Sequence, residues 1–300
     1  MSLNSVNTNT GAMIALESLE STNTQLNAVQ KQVSTGYRVA DATDDGAAYA
    51  VAQSVRSTVG ALTSANEQLG NVQGLLSITQ SGLNNISNTM SSMRDVLVKL
   101  SDSNVSGDQR VQYVDQYQSL LMNVQTFVQD SDSNGKTLIG DLANSNGTFG
   151  RVATVRNDTG ASYGIASFHG SSVFGAINFG SIAQYTAASP LTAGSITISS
   201  YFSAGNVANI ISATGTFISQ MTNVGTALNT VGSEVNYVNN QISYNTDKIN
   251  ALNTGLGSLV DANLAQESAQ LQALQIRQQL GTQALSLANQ APQTLLSLFK

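Results

Sequence analysis

The sequence predicts a mainly α protein. Long helical arms from both termini pair as an antiparallel coiled coil, and a small β-rich domain lies between them, so the class is α+β. Three observations predict this. Apolar residues recur every seven positions from Val55 to Leu97, with a second series three residues further on. The same double series returns between Met221 and Leu259. Between the two, residues 137–216 hold 11 of the 25 Gly and only four charges, with short β-branched and aromatic runs.

The first 40 residues carry the helical period weakly, through Leu19, Leu26, Val29 and Val33. The strong seam follows. Its a positions are Val55, Leu62, Leu69, Leu76, Leu83, Met90 and Leu97, and its d positions run from Thr58 to Leu100. Met90 and Met93 fall on this seam and read as core fillers. Asp44-Asp45 precede an Ala-rich run and read as an N-terminal helix cap. Ser106-Gly107-Asp108-Gln109 has the spacing of a capping box. It opens a helix over 107–130 with Val111, Val114, Leu121, Val124 and Val128 on one side. Strands are expected at Phe149–Val155, Tyr163–Phe168, Val173–Phe179 and Ile196–Ile198. The second strong seam has Met221, Leu228, Val235, Ile242, Ile249 and Leu256 at a, and Val224, Val231, Val238, Asn245, Leu252 and Leu259 at d. Asn245 alone is polar there, and a single buried amide fixes register. Two seams of this length are expected to pair with each other. The last 40 residues repeat the period through Leu264, Leu271, Leu274 and Leu280 and end on Leu295 and Leu298. The expected domains are 1–44 with 260–300, 45–136 with 217–259, and the insert 137–216.

Composition closes several function classes. Cys is absent, which removes disulfides, thiol catalysis and Cys-ligated zinc. His169 is the single His, without an HExxH motif, and reads as an ordinary loop residue. No metal, cofactor or catalytic constellation is expected, and the chain is not read as an enzyme. Lys plus Arg is 12 against 18 Asp plus Glu, a net charge of −6, which argues against nucleic acid and a polybasic membrane contact. No stretch has the ~18 consecutive apolar residues of a membrane span. The first positive side chain is Lys31, so no cleaved secretory signal is expected. The terminal arms carry few charges and many amide side chains, a texture suited to burial against copies of the same chain.

Particular segments now point to a family. Leu3-Asn4-Ser5-Val6-Asn7-Thr8-Asn9, Val33-Ser34-Thr35-Gly36-Tyr37-Arg38-Val39 and Ala42-Thr43-Asp44-Asp45-Gly46-Ala47 resemble the N-terminal arm of bacterial flagellin. Ile276-Arg277-Gln278-Gln279-Leu280-Gly281 and the end from Leu287-Ala288-Asn289-Gln290-Ala291-Pro292 to Lys300 resemble its C-terminal arm. The resemblance spans both arms and leaves the middle unmatched.

It implies a structural subunit that self-assembles through its terminal helices into the flagellar filament used for swimming. The terminal coiled coil would form the inner core lining the channel. The long helices would form the outer core, and the insert would face outward. The implied partners are copies of itself, other flagellins in a mixed filament, hook-associated and cap proteins, and an export chaperone on the C-terminal arm. Export would use the flagellar type III route to the cell exterior. Insert hydroxyls such as Ser171, Ser172 and Thr197 would be candidate O-glycosylation positions. Tyr37 and Arg38 would form a structural hinge. Two departures from the family pattern stand out. Asp261-Ala262-Asn263 replaces a common Asp-Ala-Asp. Ser91 and Ser92 stand where the segment read by the flagellin-sensing innate immune receptor carries Gln-Arg before a run like Arg94-Asp95-Val96-Leu97-Val98, so strong recognition is not expected.

The nearest alternative is the hook–filament junction (hook-associated) protein, which shares both arms. The other is a surface adhesin or glycan-binding module in which Tyr163, Phe168, Phe174, Tyr185 and Tyr201 stack on sugars.

Overall fold

The computed structural model describes residues 8–140, 148–169 and 202–298, with side chains through 168 and 290 at the last two limits. In chain order the described elements are α1 (Thr10–Thr35), α2 (Gly46–Leu100), α3 (Gly107–Gln129), β1 (Asp132–Ser133), β2 (Lys136–Thr137), β3 (Ile139–Gly140), β4 (Thr148–Phe149), β5 (Val152–Val155), β6 (Ser162–Ile165), β7 (Phe168–His169), α4 (Ala204–Ile211), α5 (Thr216–Val260) and α6 (Leu264–Leu298). Contacts divide the chain into two compact units, Met1–Val59 with Asn250–Lys300, and Gly60–Ile249.

The helix ends follow their local chemistry. Asn9 accepts from the Ala12 amide to start α1, and Gly36 closes it with φ +74, a left-handed backbone that glycine adopts without strain. Asp45 accepts from the Ala47 and Ala48 amides at the start of α2. Asp44 has a different job: its carboxylate binds Lys31 at 2.8 Å and the Ala40 and Asp41 amides. Hydrogen bonds from Lys31 hold Asp41 and Asp44 below the usual carboxylate range. Ser106 and Gln109 form the expected capping box of α3. Asn263 accepts from the Gln266 amide and caps α6, so Asn serves where the family often has Asp.

In the Gly60–Ile249 unit, α2 and α5 lie antiparallel. Gln73 Nε2 donates to Asn239 Oδ1 at 2.6 Å, and Asn245 Nδ2 donates to Asn66 Oδ1 at 2.9 Å. Leu62, Leu69, Leu76, Leu83 and Leu97 are fully buried, with Met90 and Met93 among them. A stripe one position before the a series is also buried, through Leu75, Gly82 and Val96. Helix α3 explains it. Val114, Tyr117, Leu121, Val124 and Val128 join the same core, and a Cβ on Gly82 would collide with Ser131 Oγ just beyond α3. Val111, expected on that side, is exposed.

Helix α5 departs from the a/d reading. Its d residues Val224, Val231, Val238 and Asn245 are fully buried, whereas Leu228, Val235, Ile242 and Ile249 at a are half-buried. Phe217 extends the buried d series, and the second buried stripe is Gln220, Ala227 and Glu234, which includes polar residues that periodicity counts as surface.

The central strands are short. They make a three-stranded sheet ordered β1-β2-β4, a parallel β3-β7 pair and an antiparallel β5-β6 hairpin. Strand structure begins at Asp132, before the expected insert. Asn134 and Gly135 both have positive φ, the turn that two-residue hairpins prefer. Residues 204–211, expected within the β-rich stretch, are the helix α4; Val207 is buried in the core. The expected strands at Val173–Phe179 and Ile196–Ile198 lie outside the described residues.

Candidate assembly surfaces

In the unit formed by the two ends of the chain, α1 and α6 form a tight antiparallel pair. Asn9 Nδ2 donates to the Ala288 carbonyl at 2.8 Å, and Gln278 Nε2 donates to Asn23 Oδ1 at 2.7 Å. At the other end the Arg38 amide donates to the Val260 carbonyl, and Tyr37 bridges Asp261. Tyr37 and Arg38 are thus pinned beside the α5–α6 junction, and Arg56 lies over the Tyr37 ring. Val39, Ala48, Ala52 and Val260 make a small separate core there, with Leu256 half-buried against it.

The seam itself reads Ala12, Ala15, Leu19, Thr22, Leu26, Val29 and Val33 on α1. On α6 it reads Glu267, Leu271, Leu274, Gln278, Gly281, Leu285 and Ala288. Both follow the 3-4 spacing of a coiled coil. Leu19, Leu26, Val33 and Leu271 are half-buried; Val29 and Leu274 are buried. Gly281 lets Leu19 settle close: a Cβ there would stand 3.2 Å from Leu19 Cδ1. Sequence reading missed much of this seam because Gly281, Gln278 and Glu267 interrupt its apolar count. Counting Ala and Gly as seam residues recovers the period.

Leu264 and Leu280, expected on the packed face, are exposed. Leu280 belongs to a second stripe with Ala269, Ala273, Ile276 and Leu287, which repeats the 4-3 spacing two residues out of phase with the seam. Two residues are about 200° of turn, so this stripe occupies the opposite face of α6. Ile276 is 58% exposed, Leu280 59% and Leu287 70%. On α1, Met13 and Ile14 are 62% and 67% exposed. A nearly charge-free helix with apolar stripes on both faces, one left open, has the surface of an interface element. The side chains of Leu295 and Leu298, and residues Ser171, Ser172, Thr197, Phe174, Tyr185 and Tyr201, lie outside the described ones.

The Gly60–Ile249 unit exposes less. Ser91 and Ser92 are exposed and donate to carbonyls of their own helix. Tyr163 stacks on Tyr237 at 4.1 Å between centroids and Phe168 packs on the core, so neither is a free sugar platform. Among the described residues no group of His, Asp and Glu is arranged to hold a metal ion, and no helix is long and apolar enough to cross a membrane.

Asn245 anchors this unit. Its Nδ2 donates to Asn66 Oδ1 and to the Arg156 carbonyl, and its Oδ1 accepts from Gln241 Nε2 at 3.0 Å. One fully buried amide therefore joins α2, α5 and the β5-β6 hairpin. Asn245→Ala strands the Arg156 carbonyl and the Asn66 amide oxygen. We expect it to lower the unfolding free energy by about 2–3 kcal/mol. The denaturant midpoint checks this; an unchanged midpoint would mean that water replaces the amide without loss.

Comparison with known proteins agrees with this geometry. The bacterial flagellin N-terminal helical region matches residues 6–144, and the bacterial flagellin C-terminal helical region matches residues 211–299. Flagellin FljM of Caulobacter vibrioides is 29% identical over 303 residues, covering all of both chains. A flagellin of Brucella melitensis is 29% identical over 310 residues, covering 99% of each. Among solved structures, a putative flagellar hook-associated protein from Vibrio parahaemolyticus aligns with a TM-score of 0.57 at 15% identity, over 73% of this chain and all of that one, a likeness of fold alone. Family models over both arms and full-length relatives lead to one conclusion: the chain belongs to the bacterial flagellin family, the structural subunits of the flagellar filament.

Proposed function

We propose that this flagellar filament subunit polymerises through the second, exposed stripe of α6 together with the exposed apolar face of α1. The open stripe at Ile276, Leu280 and Leu287 carries this reading. A surface of this kind, met by a different surface on the next copy, gives an open helical polymer rather than a closed oligomer. In this reading the α1–α6 seam residues Leu19, Leu26, Val33, Leu271 and Leu274 hold the end unit together. The buried leucines of α2, with half-buried Leu228, Val235, Ile242 and Ile249, shape the helical core of the Gly60–Ile249 unit, and Leu256 supports the small core with Val39 and Val260. Residues 1–44 with 260–300 then form the channel wall, 45–136 with 217–259 the next layer, and 137–216 the outer face. Export by the type III route to the cell exterior, a chaperone on the C-terminal arm, a cap protein at the growing end and glycosylation of the insert complete the proposal.

Seeded polymerisation followed by negative-stain electron microscopy tests it. Leu280→Asp changes an exposed residue, so the monomer should keep its helical signal. Losing about 2 kcal/mol of interface burial and adding a charge should raise the critical concentration at least about tenfold. Normal filaments at the wild-type threshold would remove the α6 stripe from the interface.

A further inference from the structure

Glu234 is the only charged side chain among the described residues that is buried, at 7% exposure. It occupies the polar stripe of α5. Its Oε1 accepts from the Ala166 amide at 2.8 Å, just after β6, while its Oε2 has no hydrogen-bond partner. The groups facing it are Arg151 from the start of the hairpin and Tyr163 on β6, and Tyr163 in turn stacks on Tyr237 one turn along α5. Arg151 forms no ion pair with it; its guanidinium lies across Gly164, with Nη2 donating to the Gly164 carbonyl at 3.4 Å.

The β5-β6 hairpin is a strap along α5 with two different ends. Its turn is held by Asp158 to Lys248 at 2.8 Å and by the Asn245 amide on the Arg156 carbonyl. Its open end is held by Glu234 on the Ala166 amide, and the stacked Tyr163 and Tyr237 lie between the two ends.

We propose that Glu234 is a proton-operated latch for the open end of this strap: the neutral carboxyl holds Ala166 in place, and the ionised carboxylate leaves the pocket and frees it. A buried anion with one unpartnered oxygen carries a desolvation cost that hydration relieves, and hydration requires the side chain to let go of the Ala166 amide. Burial raises the Glu234 pKa, outweighing the opposing pull of the Ala166 amide and Arg151. The sign follows. A carboxyl whose pKa is raised in the docked state stabilises docking at low pH, and that stability is lost as pH rises through the docked-state value. The turn end does not share this dependence, because Lys248 lowers the Asp158 pKa and keeps it ionised through the same range.

Hydrogen exchange on the full-length monomer tests the latch, with rates corrected for the intrinsic pH dependence of exchange. Protection of the Ala166 amide should fall about tenfold between roughly pH 5 and pH 8. Protection of the Arg156 amide, which donates to the Ala161 carbonyl within the hairpin turn, should stay level. Glu234→Gln keeps an acceptor for Ala166 without the charge and should make its protection flat. Equal slopes in wild type and Glu234→Gln, or a flat wild-type profile, would overturn the proposal. Should Glu234→Gln fail to fold, the wild-type profile of Ala166 against Arg156 decides alone.

Discussion

Val238→Asp is expected to abolish filament formation by unfolding the Gly60–Ile249 unit. Val238 is fully buried at a d position of α5, inside the core shared with α2 and α3. The substitution removes about 1.5–2 kcal/mol of apolar burial. It also places a carboxylate where no described cation waits, a penalty of several kcal/mol more. Together these approach the whole stability of an ordinary domain, about 5–15 kcal/mol. The new carboxyl would have a raised pKa, so part of the loss should return as pH falls and it neutralises. Far-UV circular dichroism through a thermal ramp reads the first effect, and repeating it near pH 4 reads the second. Wild-type melting and normal filaments would show that α5 does not use this face for its core.

Deleting residues 1–40 should give a soluble protein that does not polymerise. The deletion removes α1, leaving Leu271, Leu274 and Leu285 of α6 without their partner seam. It also removes Val39 from the small core with Ala48, Ala52 and Val260. A lone helix in water is marginal, so the 35 residues of α6 should lose much of their helicity along with the 26 deleted from α1. The Gly60–Ile249 unit loses no residue, and its cooperative melt should remain. Circular dichroism amplitude, melting and seeded electron microscopy separate the three statements. Normal polymerisation of the truncated chain would refute a role for the α1–α6 pair in assembly.

The parts of the fold legible in the sequence were those written locally. A heptad of large apolar residues is visible without a partner, which is why the α2 seam from Leu62 to Leu97 and the d series of α5 read directly. A capping box spans four residues and needs nothing else, so Ser106 and Gln109 were readable too. Other features depended on a distant segment. Whether Leu75 and Val96 were surface or core turned on where α3 returned. Periodicity counts Glu234 and Gln220 as surface, yet both are buried, Glu234 beneath the Ala166 amide beside the hairpin. Asn134-Gly135 is a turn dipeptide legible without any partner, and it marks where strand structure starts ahead of residue 137. Helix α4 lay in a Gly-rich stretch where short apolar runs do not distinguish strand from helix.

By itself, then, the sequence determined the helical arms, their periods, their caps, the absence of thiol chemistry and the family resemblance at both ends. Those are properties of neighbours within a few turns. Only the tertiary structure decided which of the two stripes on α6 is closed by α1 and which stays open. It alone decided that α5 buries d and its polar neighbour stripe instead of a and d, and that a single hairpin is fastened at Glu234 and Asn245. Periodicity shows that a face is apolar; what covers that face is set by residues far along the chain, 68 positions away for Glu234 and Ala166 and 279 for Asn9 and Ala288.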